Sequence, residues 1–278
     1  MSDESRRHEI VTKRVVYTTP GTDRVTVQRD LEYRTTPTGV LTMDLYRGPE
    51  TTPGEGTPAV ILVTGYPDPG VRSKLGCSGK DIGASVSWGR LIAAAGILAI
   101  TYTNREPAGD LQALLEYVRH NAGSLGIDDR RIGLFASSGN VPLALSALIQ
   151  DGGKGLRCAV LTNGYMLDLD GLTGVAEAAT TFGFVNPAAG KSVEDLPADV
   201  PLFIVRSGQD QLPHLNDTID RFLLRALAGN RDVTFVNHAK APHAFDLFHD
   251  GETSRAIIRQ MLAFMQSCLT VQPGQGRS

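Results

Sequence analysis

The sequence lacks the features that mark several classes of protein. Its 278 residues include three widely spaced cysteines, so neither a disulfide framework nor a CxxC metal pair is expected. No hydrophobic run is long enough for a membrane span, and the polar first residues lack the apolar region of a signal peptide. The formal net charge of −3 favours neither a nucleic acid nor an acidic membrane as partner. We therefore expect a cytoplasmic protein with no nucleic-acid or membrane partner.

Two stretches resemble ligand-binding loops but lack essential residues. Residues 76–81 are similar to a phosphate loop, yet Asp81 follows Lys80 where Ser or Thr is required. Residues 168–171 begin like a calcium loop and lack its later ligands. We therefore predict no nucleotide, no metal site and no cofactor.

The chain alternates between two kinds of segment. Its composition, with 41% hydrophobic and 21% charged residues, is ordinary for a globular protein. Its length suits one large domain spanning residues 1–278. Nearly all-apolar runs predict strands covered on both faces, at residues 59–63, 97–102, 131–135, 158–162 and 202–205. Helices are predicted between and after them, at residues 86–95, 110–121, 141–150, 215–228 and 254–268, with a further strand at 233–236.

The first part of the chain has a different pattern. Residues 14–18, 24–27 and 41–46 are rich in β-formers and are separated by Pro and Gly turns. We interpret them as an antiparallel edge on a mostly parallel α/β sheet with helices on both faces. Residues 163–200 are rich in Gly and Ala and interrupt the strand–helix rhythm, so we predict a lid or cap insertion there.

Residues 131–140 predict a buried strand that turns sharply at Ser138 into a helix. Such a turn exposes a serine hydroxyl above a helix N-terminus, as a nucleophile requires. Ala136 and Asn140 occupy the two outer positions where the usual G-x-S-x-G pattern has glycine. The alternative is that Ser137 and Ser138 only cap the helix.

A serine nucleophile needs a histidine base and a carboxylate that orients it. Asp210 follows the apolar strand at 202–205, and His243 lies in the loop after the strand at 233–236. Both therefore belong at the carboxyl edge of the sheet, where ligands bind in open α/β proteins. The order Ser138, Asp210, His243 is that of an α/β-hydrolase. Of the alternative acids, Asp217 and Asp220 suit a solvated helix face, and Asp246 is too close to His243 in sequence.

Two backbone amides are candidates for an oxyanion hole. One is that of Gly139, directly after Ser138. The other is that of Tyr66, in a Pro/Gly-rich loop where Gly65 allows a sharp turn towards the site. The alternative interpretation of this loop is an ordinary surface turn.

Taken together and in order, these motifs resemble an α/β-hydrolase serine esterase, close to the dienelactone-hydrolase-like and small carboxylesterase branches. The resemblance covers roughly residues 41–269 and rests on residues 43–46, 64–66, 126–134, 136–140, 208–210 and 242–245. It implies a cofactor-free ester hydrolase that acts through an acyl-enzyme. Thr64 departs from the histidine found there in many esterases, and dienelactone hydrolases have cysteine where Ser138 stands.

We therefore interpret the protein as a serine hydrolase of small-molecule esters. Gly65, Tyr165, Met166 and Phe182 are predicted to contact the substrate, the last three from the segment 163–200. A peptidase, lactonase or acyltransferase with the same triad, or a binding protein that has lost the triad geometry, are the alternatives. The sequence predicts no oligomeric state.

Overall fold

One eight-stranded sheet organises residues 3–51 and 56–270, which are the residues that the computed structural model describes. Its strands follow the order β1-β2-β4-β3-β5-β6-β7-β8. The strands are β1 (Thr26–Thr36), β2 (Gly39–Arg47), β3 (Thr57–Leu62), β4 (Leu98–Tyr102), β5 (Ile127–Ser137), β6 (Leu156–Thr162), β7 (Leu202–Ser207) and β8 (Val233–His238).

Only the pairs β1–β2 and β2–β4 of this sheet are antiparallel. The other neighbouring strands are parallel, so β3 to β8 all end at one edge of the sheet. Every residue of β3 and β4 is buried, as expected for apolar strands covered on both faces. The prediction of a mostly parallel sheet with an antiparallel N-terminal edge is confirmed.

Helices cover both faces of the sheet. They are α1 (Asp3–Thr12), α2 (Asp68–Leu75), α3 (Gly83–Ala94), α4 (Pro107–His120), α5 (Ala122–Leu125), α6 (Val141–Ile149), α7 (Gly174–Phe182), α8 (Leu215–Ala228), α9 (Phe245–Phe248) and α10 (Glu252–Thr270). Apolar side chains of α4, α6 and α8 form the core on one face. Those of α3 and α10 form the core on the other. No helix in the described ranges combines the length and apolarity needed to cross a membrane.

The first third of the chain differs from the prediction in several places, including the unpredicted helix α1. Residues 14–18 form no strand, because the Val15 amide bonds to the Ser87 hydroxyl and the Val16 amide to the Asp246 carbonyl. Each amide makes one hydrogen bond, and the two partners belong to different elements, so no ladder of strand hydrogen bonds forms. The Pro/Gly-rich loop after β3 contains helix α2, which has a proline in its first turn, where no amide donor is needed.

The segment 163–200 connects β6 to β7. It contains α7 and a short turn of 3₁₀-helix at Val193–Asp195. Phe182 and Gly183, at the end of α7, lie at the edge of the sheet where the parallel strands end, and this position brings the segment to the site described below.

Candidate active site

Ser138 sits at the sharp turn between β5 and α6. Its φ of 56° lies in the left-handed region, which a side-chain-bearing residue adopts only when its surroundings enforce it. Gly139 follows in a crowded position, since a Cβ there would collide with the Tyr66 hydroxyl and the Phe184 ring. The turn therefore presents the Ser138 hydroxyl at the carboxyl edge of the sheet.

Asn140 stands where the G-x-S-x-G pattern has glycine, but it contributes through its side chain and not through an unusual backbone conformation. Its φ is −85°, an ordinary value, so this position does not require unusual backbone tolerance. Instead, its Oδ1 accepts a hydrogen bond of 2.8 Å from the Gly65 amide. The side chain thus ties the loop after β3 to the turn at Ser138. The sequence alone does not reveal this contact, because it joins residues 75 positions apart.

The structure brings Ser138, Asp210 and His243 into one chain of hydrogen bonds. His243 Nε2 lies 2.9 Å from Ser138 Oγ, and His243 Nδ1 lies 2.6 Å from Asp210 Oδ2. The Asp210 side chain is 1% exposed, whereas the His243 side chain is 28% exposed. The second carboxylate oxygen, Oδ1, accepts the Leu212 amide at 3.0 Å. The carboxylate is therefore held in place, and the imidazole remains partly exposed.

Backbone pairing beyond β7 and β8 aligns the acid with the base. The Gly208 amide bonds to the His238 carbonyl, and the Gln209 amide to the Ala241 carbonyl. Gly208 has no room for a side chain, because a Cβ would overlap the Ala239 backbone. This close approach holds the loop carrying Asp210 against the loop carrying His243.

The loop after β3 faces Ser138 from the other side. The Tyr66 amide has no hydrogen-bond partner among the described residues, whereas the neighbouring Gly65 amide is bound to Asn140. The Tyr66 ring contacts Phe184 edge-on with 5.9 Å between ring centroids, and its hydroxyl lies beside the Ser138 side chain. Burial raises the pKa of Tyr66 to about 12, so this hydroxyl is a neutral donor at neutral pH. The sequence pointed to the Tyr66 amide and missed the hydroxyl.

A cavity of about 610 Å³ opens beside Ser138 and is lined mainly by apolar side chains. Phe182, which is predicted to contact the substrate, lines this cavity. Among the polar residues of its wall are Lys80, Asn163 and Asp246. Such a cavity accommodates a small organic molecule next to the serine hydroxyl.

Tyr165 and Met166, also predicted to contact substrate, lie in the core and do not line this cavity. The Tyr165 hydroxyl donates to the Pro213 carbonyl at 3.0 Å, and its ring stacks on Phe184 at 5.4 Å. The Met166 amide donates to the Thr218 hydroxyl at 3.1 Å. Both residues lie shortly after β6 and turn towards α8 and the residues before it instead of the cavity. Gly65 lies behind the turn at Ser138, with no room for a Cβ against the Gly139 carbonyl.

Asp246 is a buried acid in the cavity wall. Its Oδ2 accepts a hydrogen bond of 2.7 Å from the Trp88 indole, which links α9 to α3. Burial raises the pKa of this carboxyl, and the Trp88 hydrogen bond opposes that rise only in part. Within the described ranges, no group of three or more His, Cys, Asp and Glu side chains is arranged to hold a metal ion.

Solved structures with this architecture include bacterial esterases, and the fold is the α/β-hydrolase fold. Est2 of the planctomycete Thermogutta terrifontis is 18% identical over 92% of this chain and 96% of its own, with a TM-score of 0.64. The thermostable carboxylesterase EstE1, cloned from a metagenomic library, is 17% identical over 98% and 99%, with a TM-score of 0.64. A bacterial heroin esterase is 16% identical over 91% and 87%, also with a TM-score of 0.64. No protein-family model and no curated protein matches the sequence.

Proposed function

We propose that the protein hydrolyses carboxylic esters of small molecules through an acyl-enzyme on Ser138. The observation that carries this proposal is the continuous hydrogen-bonded chain from Asp210 through His243 to Ser138, with contacts of 2.6 and 2.9 Å. A serine that only capped a helix would not need a histidine at its hydroxyl. The structural likeness to three esterases supports the same reaction class.

In the proposed mechanism, Ser138 Oγ attacks the ester carbonyl carbon as His243 Nε2 takes its proton. Asp210 holds the His243 Nδ1 proton and stabilises the imidazolium that forms. The imidazolium then protonates the leaving alkoxide, which departs as the alcohol. Water, activated by the neutral imidazole, attacks the acyl-enzyme and releases the carboxylic acid.

The negative charge that develops on the carbonyl oxygen needs donors already in place. The amides of Gly139 and Tyr66 are our candidates, because Tyr66 approaches Ser138 from the β3 side and its amide has no partner within the described ranges. Phe182 and the other apolar residues of the cavity wall would hold the hydrocarbon part of the ester. We therefore expect short-chain or aromatic esters to be substrates.

The experiment is the hydrolysis of p-nitrophenyl acetate and butyrate by the wild type, Ser138→Ala and the matched variant Ser137→Ala. Members of a triad act as a unit, so we expect Ser138→Ala to lower kcat by about 10⁴- to 10⁶-fold. Ser137→Ala, which leaves the triad intact, should remain within about tenfold of the wild type because it removes no reacting group.

Covalent labelling gives a second readout of the nucleophile. Est2 of Thermogutta terrifontis is phosphorylated by paraoxon, and the same reagent should add a diethylphosphoryl group to Ser138 here. Peptide mass spectrometry would locate the adduct. Activity that survives Ser138→Ala, or a label on Ser137 instead, would overturn the assignment of Ser138. An inactive and unlabelled wild type would favour a binding protein on this fold.

A further inference from the structure

Asn163 occupies a position between the strands that carry the proposed nucleophile and acid. It directly follows β6, whose last residue, Thr162, pairs with Ser137 of β5. Its own amide bonds to the Val205 carbonyl of β7 at 2.8 Å. Ser138 follows β5 and Asp210 follows β7, so Asn163 lies at the same edge of the sheet, between them.

The side-chain amide of Asn163 is only half satisfied. The residue is 1% exposed, and its Oδ1 accepts a hydrogen bond of 3.2 Å from the Ser207 hydroxyl. Its Nδ2, with two N–H donors, has no partner among the described residues. A buried donor without a partner is destabilising, and such groups are rare in native proteins.

The backbone of Asn163 is strained as well, since its φ is 35°. Asn163 also lines the cavity that contains Ser138. Strain and an unpaired buried donor at one cavity residue are unfavourable for the free protein. They are explained together if a bound molecule supplies the missing acceptor.

We propose that Asn163 Nδ2 donates a hydrogen bond to a second oxygen of the ester substrate, outside the scissile carbonyl. This inference rests on the proposed function. The scissile carbonyl oxygen belongs on the β3 side of β5, where the Gly139 and Tyr66 amides lie. Asn163 lies on the β6 side, so it meets a different part of the ester. The substrates are therefore esters with an ether, hydroxyl or carbonyl oxygen on the acyl or the alcohol part.

Two pairs of nearly isosteric esters test this recognition. On the acyl side, p-nitrophenyl methoxyacetate differs from p-nitrophenyl butyrate by one oxygen in place of one methylene. On the alcohol side, 2-methoxyethyl acetate differs from butyl acetate in the same way. For each pair, the kcat/KM of the oxygen-containing ester is divided by that of its hydrocarbon analogue. This ratio is then divided by the same ratio of the hydroxide-catalysed rates, which removes the difference in intrinsic reactivity between the two esters.

The variants are Asn163→Gly, which deletes the amide and accepts a positive φ, and Asn163→Asp, which keeps the shape but replaces the donor. Asn216→Ala is the matched control. Asn216, a partly buried asparagine, is likewise bound to Ser207, through its Nδ2 and the Ser207 carbonyl at 3.0 Å. Its Oδ1 is also buried without a partner among the described residues, but Asn216 does not line the cavity. Circular dichroism and melting temperature show whether each variant is folded.

We expect both Asn163 variants to lower the corrected ratio of one pair by about fivefold, which is the size of one neutral hydrogen bond, and Asn216→Ala to leave it unchanged. The pair that responds identifies the side of the ester that Asn163 contacts. Ratios that stay within about twofold of the wild type in both pairs would overturn the recognition while leaving the esterase intact. An equal change in Asn216→Ala would also overturn it. A wild type without activity on any of these esters and without paraoxon labelling would remove the proposed function and this inference with it.

Discussion

Two polar regions contribute to the wall of the same cavity, and they differ in how their buried groups are paired. One surrounds Lys80 and the other surrounds Ser138. The Lys80 ammonium, on a side chain only 4% exposed, lies 2.8 Å from Asp44 and 3.0 Å from Asp30. Burial alone would lower the pKa of Lys80, but the hydrogen bonds to Asp44 and Asp30 outweigh it and raise that pKa.

The carboxylate of Asp44 is fully buried and equally well paired. Besides Lys80, it accepts the Asp30 amide at 2.9 Å and the Arg29 guanidinium at 3.3 Å. Each buried charge in this region thus has partners within the protein, and none is left for a ligand. The region joins the β1–β2 edge to the turn before α3, which is a structural role.

The region around Ser138 contains backbone and side-chain donors that are not paired within the part of the chain that the structure describes. The Tyr66 amide and Asn163 Nδ2 have no partners within the described ranges, and Ser138, Asn163 and Ala244 all have a positive φ. Unsatisfied donors and strained backbone recur together where a ligand completes the structure.

The two regions differ in the pairing of their charged groups, since Lys80 and Asp44 are fully paired. A positive φ at Asp30 and a buried Thr101 Oγ1 next to Asp44, without a hydrogen-bond partner among the described residues, occur in the Lys80 region as well, so neither feature alone marks the proposed site.

Lys80→Met removes the central cation of the region around Lys80 and has the largest expected effect on stability. It leaves the Asp44 carboxylate buried without its main counter-charge, so the free energy of unfolding should fall by about 3–5 kcal/mol. Urea denaturation followed by fluorescence measures this change. Lys240→Met, at an exposed position, is the control and should stay within about 0.5 kcal/mol of the wild type. Equal losses in the two variants would contradict the structural role of the Lys80 region.

Tyr66→Phe tests the role of a single hydroxyl group in the region around Ser138. The Tyr66 hydroxyl lies beside the Ser138 side chain, and we expect it to donate a hydrogen bond to the negative charge that develops during the reaction. Because a hydrogen bond to a charged group contributes about 1.5–3 kcal/mol, we expect kcat to fall by about 10- to 100-fold with a smaller change in KM. Tyr117→Phe, on α4, is the control. A kcat within about twofold of the wild type would show that the hydroxyl does not act on the reaction.

The sequence predicted the central sheet well because its information is local. Five nearly all-apolar runs favour internal strands, and each overlaps one of β3 to β7 with at most one residue outside it. The order Ser138, Asp210, His243 and their positions after strands were also visible, and the structure joins them by hydrogen bonds. Their catalytic roles, the single domain, the lid at 163–200 and the cytoplasmic location stay predictions.

The features that escaped prediction depend on contacts between distant segments. The strand predicted at 14–18 was wrong because its amides bond to Ser87 and Asp246. Tyr165 turns into the core because its hydroxyl finds the Pro213 carbonyl, which no local pattern reveals. The unpaired amide of Asn163 is likewise visible only once β5, β6 and β7 lie side by side.

The pairing of Asp246 is intermediate between those of the Lys80 and Ser138 regions. Asp246→Asn tests this pairing and has the smallest expected effect. The carboxyl is buried like Asp44, but it is bonded to a neutral indole and not to a cation. Burial raises its pKa in the folded protein above the ordinary value of 3.8. Between pH 3.8 and that raised pKa, the folded state therefore keeps a proton on Asp246 that the unfolded state has already lost. As pH rises from 3.8 through the folded pKa, stability falls, and above that pKa it changes no further.

Asparagine is neutral at every pH and still offers Oδ1 to the Trp88 indole, so Asp246→Asn should abolish this pH-dependent loss. The difference in unfolding free energy between the variant and the wild type should grow with pH by about 1.4 kcal/mol for each unit by which the pKa is raised. Urea denaturation of both proteins between about pH 4 and about pH 7 measures it. Parallel profiles would mean that Asp246 ionises as it does in water, and Asp246 would then belong with the well-paired groups around Lys80.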